Sequence, residues 1–470
     1  MRTLPLAAAV AALAIAAVSS PATAQSAQER LDARYDRALV AGYKALMLCS
    51  AIGNAEANGA TRTPESVHEW ELTGIYPKLD PIIRDLPYEI VRRPSGQIAH
   101  VQVEWDEAMP DRVAAFYGPD YGCSILPTGA AENSSEPERE ISIGSVSSPR
   151  LMPPQNLFAE GMLGEAGEVL SDKAFDGTYG EGTRTTAVLV RQNGDRMFEY
   201  YTSHIGPNVP QRTWSVAKSI AATLVGAAVQ RGELDMSASA GLGLDENDPR
   251  RAITIDHALR MASGRYSDTP GNRTDPLYWG GITVDERAQN WPLVNQPNTL
   301  YRYANNDTLA AVQAMEETFK SHPPTELFAK LGMRHTVAET DWQGNYVLSS
   351  QVWSTAPDLA KLGQLYLNDG MWNGERILPE NWREYVSDPS GPQPEGTDWG
   401  YGAGWWTFKR PEGNSFEGIP DDAFAARGNR GQYVVVVPSR NVVIVRRGED
   451  MVGTRFDIAA FTRDVLAALD

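Results

Sequence analysis

Two cysteines and six histidines are a thin supply of soft metal ligands for 470 residues. The histidines (His68, His100, His204, His257, His322 and His335) are scattered, with no pair at the i, i+4 spacing of a zinc-binding helix and no Cys-x-x-Cys. No metal site is expected from such a pattern. Basic residues are also short: 42 Lys and Arg against 60 Asp and Glu give a formal net charge of -18. A surface that acidic repels phosphate backbones and anionic headgroups, so nucleic acid and membrane surfaces are poor partners. No serine lies in Gly-x-Ser-x-Gly, which removes support for an α/β-hydrolase elbow. Gly241-Leu242-Gly243-Leu244 lacks the third glycine of a dinucleotide loop and reads as a plain loop.

Long apolar runs are confined to the N-terminus. Met1 and Arg2 precede an Ala/Leu/Val/Ile stretch over 6–18, followed by Ala22-Thr23-Ala24. A short charged start, a short apolar core and a small-x-small site predict a signal peptide over 1–24. The apolar run is too short to span a bilayer comfortably, so no stable membrane insertion is expected after cleavage. Export to the periplasm or medium makes a Cys49–Cys123 disulfide the natural expectation, with two buried thiols as the alternative.

Three stretches differ in character. Residues 25–128 read as an N-terminal accessory domain, with helical periodicity over 30–48 and strand-like alternation over 98–105. Residues 129–156 are polar and proline-bearing, the composition of a linker. From 157 to 470, strands and helices alternate. Apolar runs over 186–191 and 196–201 flank Asn193-Gly194, a strong hairpin signal. Helices are predicted over 216–230, 256–262, 307–320, 357–367 and 455–469, and a second strand pair over 432–437 and 442–446. Strand pairs at both ends with a helical middle predict an α/β chain of the α+β kind. Its antiparallel sheet would be flanked by helices beside a helical subdomain.

The strongest chemical signal is Thr213-Trp214-Ser215-Val216-Ala217-Lys218-Ser219. A serine hydroxyl needs a base to become a useful nucleophile. Lysine at i+3 shares a helical face with it, and acts as base once burial or a nearby cation strips its proton. A helix N-terminus also points free N–H groups at a developing oxyanion. A second element is Tyr303-Ala304-Asn305, at the mouth of a predicted helix after a polar loop. Its phenol is suited to moving a proton and its amide to orienting the lysine. Tyr366-Leu367-Asn368 has the same spacing, but it precedes Asp369-Gly370 and reads as a helix stop.

Together with Gly428-Asn429-Arg430-Gly431-Gln432, these segments resemble the three motifs of class C β-lactamase-like serine hydrolases. That family includes penicillin-binding D,D-peptidases, esterases and the 6-aminohexanoate-dimer hydrolases, the last looking closest. The resemblance covers roughly 157–470 and leaves 25–128 outside. It implies Ser215 as the acylated nucleophile, Lys218 and Tyr303 as proton-transfer groups, and Asn305 as a holder of lysine and substrate. It implies an oxyanion hole from the Ser215 and Gln432 backbone, with Gly431 and Arg430 beside the substrate. The family's third motif usually opens with lysine or histidine, absent here, so Arg430 or Arg427 would have to substitute. The activity implied is cofactor-free hydrolysis of a small-molecule amide or ester. D,D-peptidase or β-lactamase activity, or a catalytically silent peptide- or cell-wall-binding protein, are the rival expectations.

Overall fold

The computed structural model describes residues 26–76, 79–130, 157–267 and 274–470. The proposed leader and nearly all of the proposed linker lie outside the described residues.

The strands with consecutive apolar residues are covered on both faces. Thr185–Gln192 pairs antiparallel with Asp195–Tyr201 around Asn193 and Gly194, both at positive φ (54° and 86°). Gln432–Val437 pairs with Val442–Gly448, which in turn pairs with Thr185–Gln192. Side chains alternate across these strands. Val188, Val190, Val435 and Ile444 share a core with Leu170 of helix Gly164–Phe175 and Phe461 of helix Ile458–Ala468. Ala187, Leu189, Val434 and Val443 share another with helices Val216–Gln230 and Ala356–Leu367. The fold is therefore an antiparallel sheet between helical layers, as the sequence predicts.

Among the described residues that sheet has eight strands. Leu157–Glu160 forms one edge; Phe424–Gly428, Trp406–Thr407 and Gly400–Tyr401 extend the other. The two outermost at that edge are two residues long, too short to leave a periodic signal. The predicted 307–320 helix is two pieces, Asn305–Gln313 and a 3-10 turn Glu316–Lys320. Met315 leaves helical geometry between them (φ -110°, ψ 10°). Likewise the helix predicted over 256–262 spans only Ile255–Leu259, with Met261 at φ +58° beyond its end.

The N-terminal region opens with helix Ala27–Ala57. Ser26 Oγ accepts from Glu29 N at 3.1 Å while Glu29 Oε2 accepts from Ser26 N at 2.6 Å, a reciprocal cap. The helix runs more than two turns past the predicted end, because every residue from 38 to 55 is buried. It is long and apolar enough to cross a membrane, and here that apolar stretch is enclosed by protein. A four-stranded antiparallel sheet covers it: Tyr88–Arg92, Ile98–Val103, Arg112–Phe116 and Cys123–Ile125.

This layer does not close its core alone. Trp214, Leu277, Trp279, Val337 and Trp353 share one apolar cluster with Val40, Leu48, Val101 and Phe116. Arg112, fully buried, donates to Ala38 O (2.7 Å), Leu126 O (3.1 Å) and Trp279 O (2.9 Å). It thereby ties the opening helix, its sheet and the later segment together. Cys49 and Cys123 form the disulfide, joining the helix to the last strand of that sheet. Their separation of 74 residues closes a long loop. Replacing both by serine is expected to cost about 2–4 kcal/mol. The check is a lower urea midpoint for the double variant with unchanged circular dichroism before the transition.

Candidate active site

The nucleophile candidate sits at a forced turn. Trp214 has φ +51°, a left-handed conformation rare for a bulky residue. Helix Val216–Gln230 starts directly after Ser215, and Lys218 N donates to Ser215 O at 3.0 Å. Residues 211–214 and 216–220 are buried, whereas Ser215 keeps partial exposure. The turn thus presents one hydroxyl from a buried segment.

Lys218 is buried beneath it, 1% exposed. Its Nζ lies 3.0 Å from Ser215 Oγ, 2.6 Å from Asn305 Oδ1 and 2.9 Å from Ser349 O. None of these partners is a carboxylate. Burial, and next the Arg212 guanidinium, hold the lysine well below its usual pKa. The Tyr303 ring stands 5.0 Å from Nζ, and its hydroxyl hydrogen-bonds Ser215. Burial pushes this phenol up to about 12, although the Ser215 hydrogen bond and Arg427 pull it down. The phenol is therefore protonated at neutral pH, and the amine is the stronger candidate base.

Asn305 is the first residue of helix Asn305–Gln313, after an N-cap Ala304 that has no side chain to cap with, and its amide oxygen accepts from Lys218. Tyr366, the alternative with the same spacing, is fully buried against Thr223 and Trp405 in the last turn of helix Ala356–Leu367, which stops at its C-cap Asn368.

Ser215, Tyr303 and Asn305 border a cavity of about 380 Å³. Trp214, Tyr278, Trp406, Tyr433 and Tyr76 supply aromatic walls, and Asp275 and Arg427 are charged members of the lining. Among the described residues no cluster of three or more His, Cys, Asp or Glu is arranged to hold a metal.

A family model described as Beta-lactamase matches residues 172–469, more than half of the chain. The chain belongs to the Beta-lactamase family. It is similar to a 6-aminohexanoate-dimer hydrolase of Paenarthrobacter ureafaciens, 25% identical over 303 residues, covering 57% of this chain and 73% of the relative. Among solved structures it shares the fold of a candidate 6-aminohexanoate-dimer hydrolase from Bacillus anthracis. That match has a TM-score of 0.50 and 20% identity, over 64% of this chain and 80% of the other. A class C β-lactamase aligns with a TM-score of 0.50 and 14% identity, over 66% of this chain and 96% of that one.

The third motif of this Beta-lactamase family member departs from expectation. Gly428 pairs with Gln432 across the two strands, so Asn429–Gly431 forms the reversal between them. Arg430 takes φ +58°, and its buried guanidinium turns away from the cavity. Nε donates to Glu449 Oε2 at 2.5 Å, and Nη2 to Trp70 O and Thr73 O at 2.7 and 2.8 Å. Gly431 (φ +76°) is wedged against Arg446, which donates to its carbonyl at 2.8 Å. The Gln432 side chain accepts from Arg447 Nε at 2.6 Å and donates to Gly448 O. These three residues brace the turn and do not border the cavity. Arg427, Gly428 and Asn429 border it instead. Arg427 lies 4.2 and 4.7 Å from the Trp399 and Trp406 ring centroids. A Cβ on Gly428 would fall 2.4 Å from Thr213 O and 3.2 Å from Ser215 N, so this position tolerates only glycine.

Sequence reasoning missed Ser349, which acts through a main-chain carbonyl and carries no residue-type signal. It also passed over Arg212, three residues before Ser215. Arg212 is 1% exposed, stacks 3.8 Å from the Trp214 ring centroid, and donates to Ser350 Oγ at 2.7 Å. Its charge opposes protonation of Lys218, so Arg212→Met raises the lysine pKa. The acid limb of kcat/KM against pH should then move to higher pH, while Arg212→Lys, which keeps the charge, moves it less. A limb at the same pH in both variants would remove Arg212 from the electrostatics of the site.

Proposed function

We propose that this chain is an exported serine hydrolase that cleaves an amide or ester bond through an acyl-enzyme on Ser215. The observation that carries the reading is the bonding around Lys218. A neutral amine has two N–H donors and one lone pair. Asn305 Oδ1 and Ser349 O accept the two donors, which leaves the lone pair for the Ser215 hydroxyl at 3.0 Å. Burial favours this neutral form.

In the acylation step, Lys218 takes the Ser215 proton as Oγ bonds to the substrate carbonyl carbon. The Ser215 N–H at the start of the helix is one donor for the oxyanion; Gly428 and Asn429, which border the cavity where Gln432 does not, supply the second from their main chain. Collapse of the tetrahedral intermediate breaks the bond to the leaving amine or alcohol. Tyr303, hydrogen-bonded to Ser215 and still protonated, hands that group a proton and is reprotonated through Lys218. Water then attacks the ester, with the same groups run in reverse, and frees the acid.

The relative acting on 6-aminohexanoate dimers favours amide or ester cleavage. Export is supported by the disulfide and by the leader-like start. The rival β-lactamase or D,D-peptidase reading draws on the class C neighbour. Arg430, one candidate for the carboxylate-binding cation, is spent on Glu449.

Mature protein should hydrolyse p-nitrophenyl butyrate and gain one fluorophosphonate adduct by intact mass. Ser215→Ala should lose the adduct and roughly 10³-fold or more in kcat. Equal turnover by Ser215→Ala would end the nucleophile assignment. Fast stoichiometric acylation by a β-lactam, with no ester turnover, would move the protein to the rival reading.

A further inference from the structure

The N-terminal region sends one segment, residues 70–76, to the border of the Ser215 cavity. Its end is Tyr76, which lines that cavity together with Ser215, Tyr278, Tyr303 and Trp406. Residues 70–76 lie outside the part of the chain that matches the family model. Tyr76 is therefore an addition to the shared scaffold.

The segment is fixed along its length. Arg430 Nη2 donates to Trp70 O and Thr73 O, as described above. Glu71 receives both Arg62 Nη1 and Nη2, at 2.8 and 2.6 Å, in a buried pair. Asp80 accepts from Gly74 N at 2.8 Å and Ile75 N at 3.2 Å. Val452, another cavity residue, donates its N–H to Gly74 O at 3.0 Å. Gly74 itself is at φ +72°, where a Cβ would fall 2.4 Å from Met451 Sδ. The arginine expected to face substrate instead anchors this foreign wall.

Tyr76 is half-buried, with its ring 5.3 Å from that of Trp279 at 58°. Trp279 is itself held edge-on by Tyr43 at 5.0 Å. The ring thus has a packed side and a side left to the cavity. Rings on several walls of one site favour a planar, polarisable group over a flexible alkyl chain.

We infer that Tyr76 is a specificity-determining residue, its ring selecting substrates that carry an aromatic group next to the scissile amide or ester. This inference rests on Ser215 being the nucleophile.

The test compares three esters by pH-stat: ethyl butyrate without a ring, ethyl phenylacetate with the ring on the acyl side, and benzyl acetate with it on the alcohol side. Wild-type protein should show a higher kcat/KM for at least one ring-bearing ester than for ethyl butyrate. Tyr76→Leu and Tyr76→Ala should lower that ratio about tenfold, the scale of one lost pocket contact, and Tyr76→Phe should keep it. Melting curves for all three variants establish that they are folded. If Ala and Leu melt early, Tyr76→Met, ringless but of similar length, decides instead, with a ratio equal to that of the wild type overturning the inference. Wild-type turnover with no ring preference, or a ratio unchanged in Tyr76→Leu, also overturns it and leaves the Ser215 reading standing. No turnover of any ester, together with no fluorophosphonate adduct, fails the Ser215 reading itself.

Discussion

A lysine amine excluded from water, with no carboxylate among its hydrogen-bond partners, is the constraint on which the rest of this structure depends. A charged amine at that depth would need compensation that Asn305 Oδ1 and Ser349 O supply only in part. The neutral form needs no more than they give, and it is the form that accepts a proton. Keeping it neutral requires a dry surround, and the nearest buried cation, Arg212, adds to the same effect. The segment carrying Arg212 is held by Arg447, which donates to Gln211 O at 2.9 Å and Ser354 O at 2.6 Å. The final strand of the sheet therefore positions both the approach to Ser215 and the strand that follows Ser349.

The N-terminal layer belongs to this enclosure. Its core runs into Trp214, the residue preceding the nucleophile, and into Trp353. Glu339 sits where the layer meets the short strand pair Val337–Ala338 and Val352–Ser354, accepting from Cys123 N at 3.0 Å, Asn54 Nδ2 at 3.2 Å and Trp353 Nε1 at 2.9 Å. Burial raises its carboxyl to about 7 despite those donors. A buried carboxylate with this many partners is tolerable only while every partner stays in place. Losing the layer would therefore expose an unpaired acid as well as apolar surface, close to the loop that holds Lys218.

How much of this the sequence reveals depends on how local each signal is. The hairpin around Asn193 and Gly194 and the helix after Ser215 are written in neighbouring residues, and both are found where periodicity and turn chemistry put them. Ser215, Lys218, Tyr303 and Asn305 are separable into meaningful pieces because two short motifs carry them. The third motif is different. Which residues face the cavity there depends on the pairing of Gly428 with Gln432 and on the positive φ of Arg430, and neither is visible in residue types. A one-residue change in such a register turns each side chain to the other face. The edge strands Gly400–Tyr401 and Trp406–Thr407 were illegible for a related reason: two residues have no period.

The exchange of roles between the two arginines follows from that register. Arg427 is the last side chain before Gly428 on a strand that ends beside Ser215, and two tryptophan rings hold its guanidinium near the cavity. Arg430, three residues on, lies across the reversal and meets Glu449 and the carbonyls of Trp70 and Thr73. Buried guanidinium groups suit this second task, because their fixed fork of donors can satisfy several carbonyls and a carboxylate at once. A lysine there would offer one point of charge and would not bridge both the strand and the N-terminal segment. The arginine in the third motif and the added wall at residues 70–76 are thus parts of one arrangement.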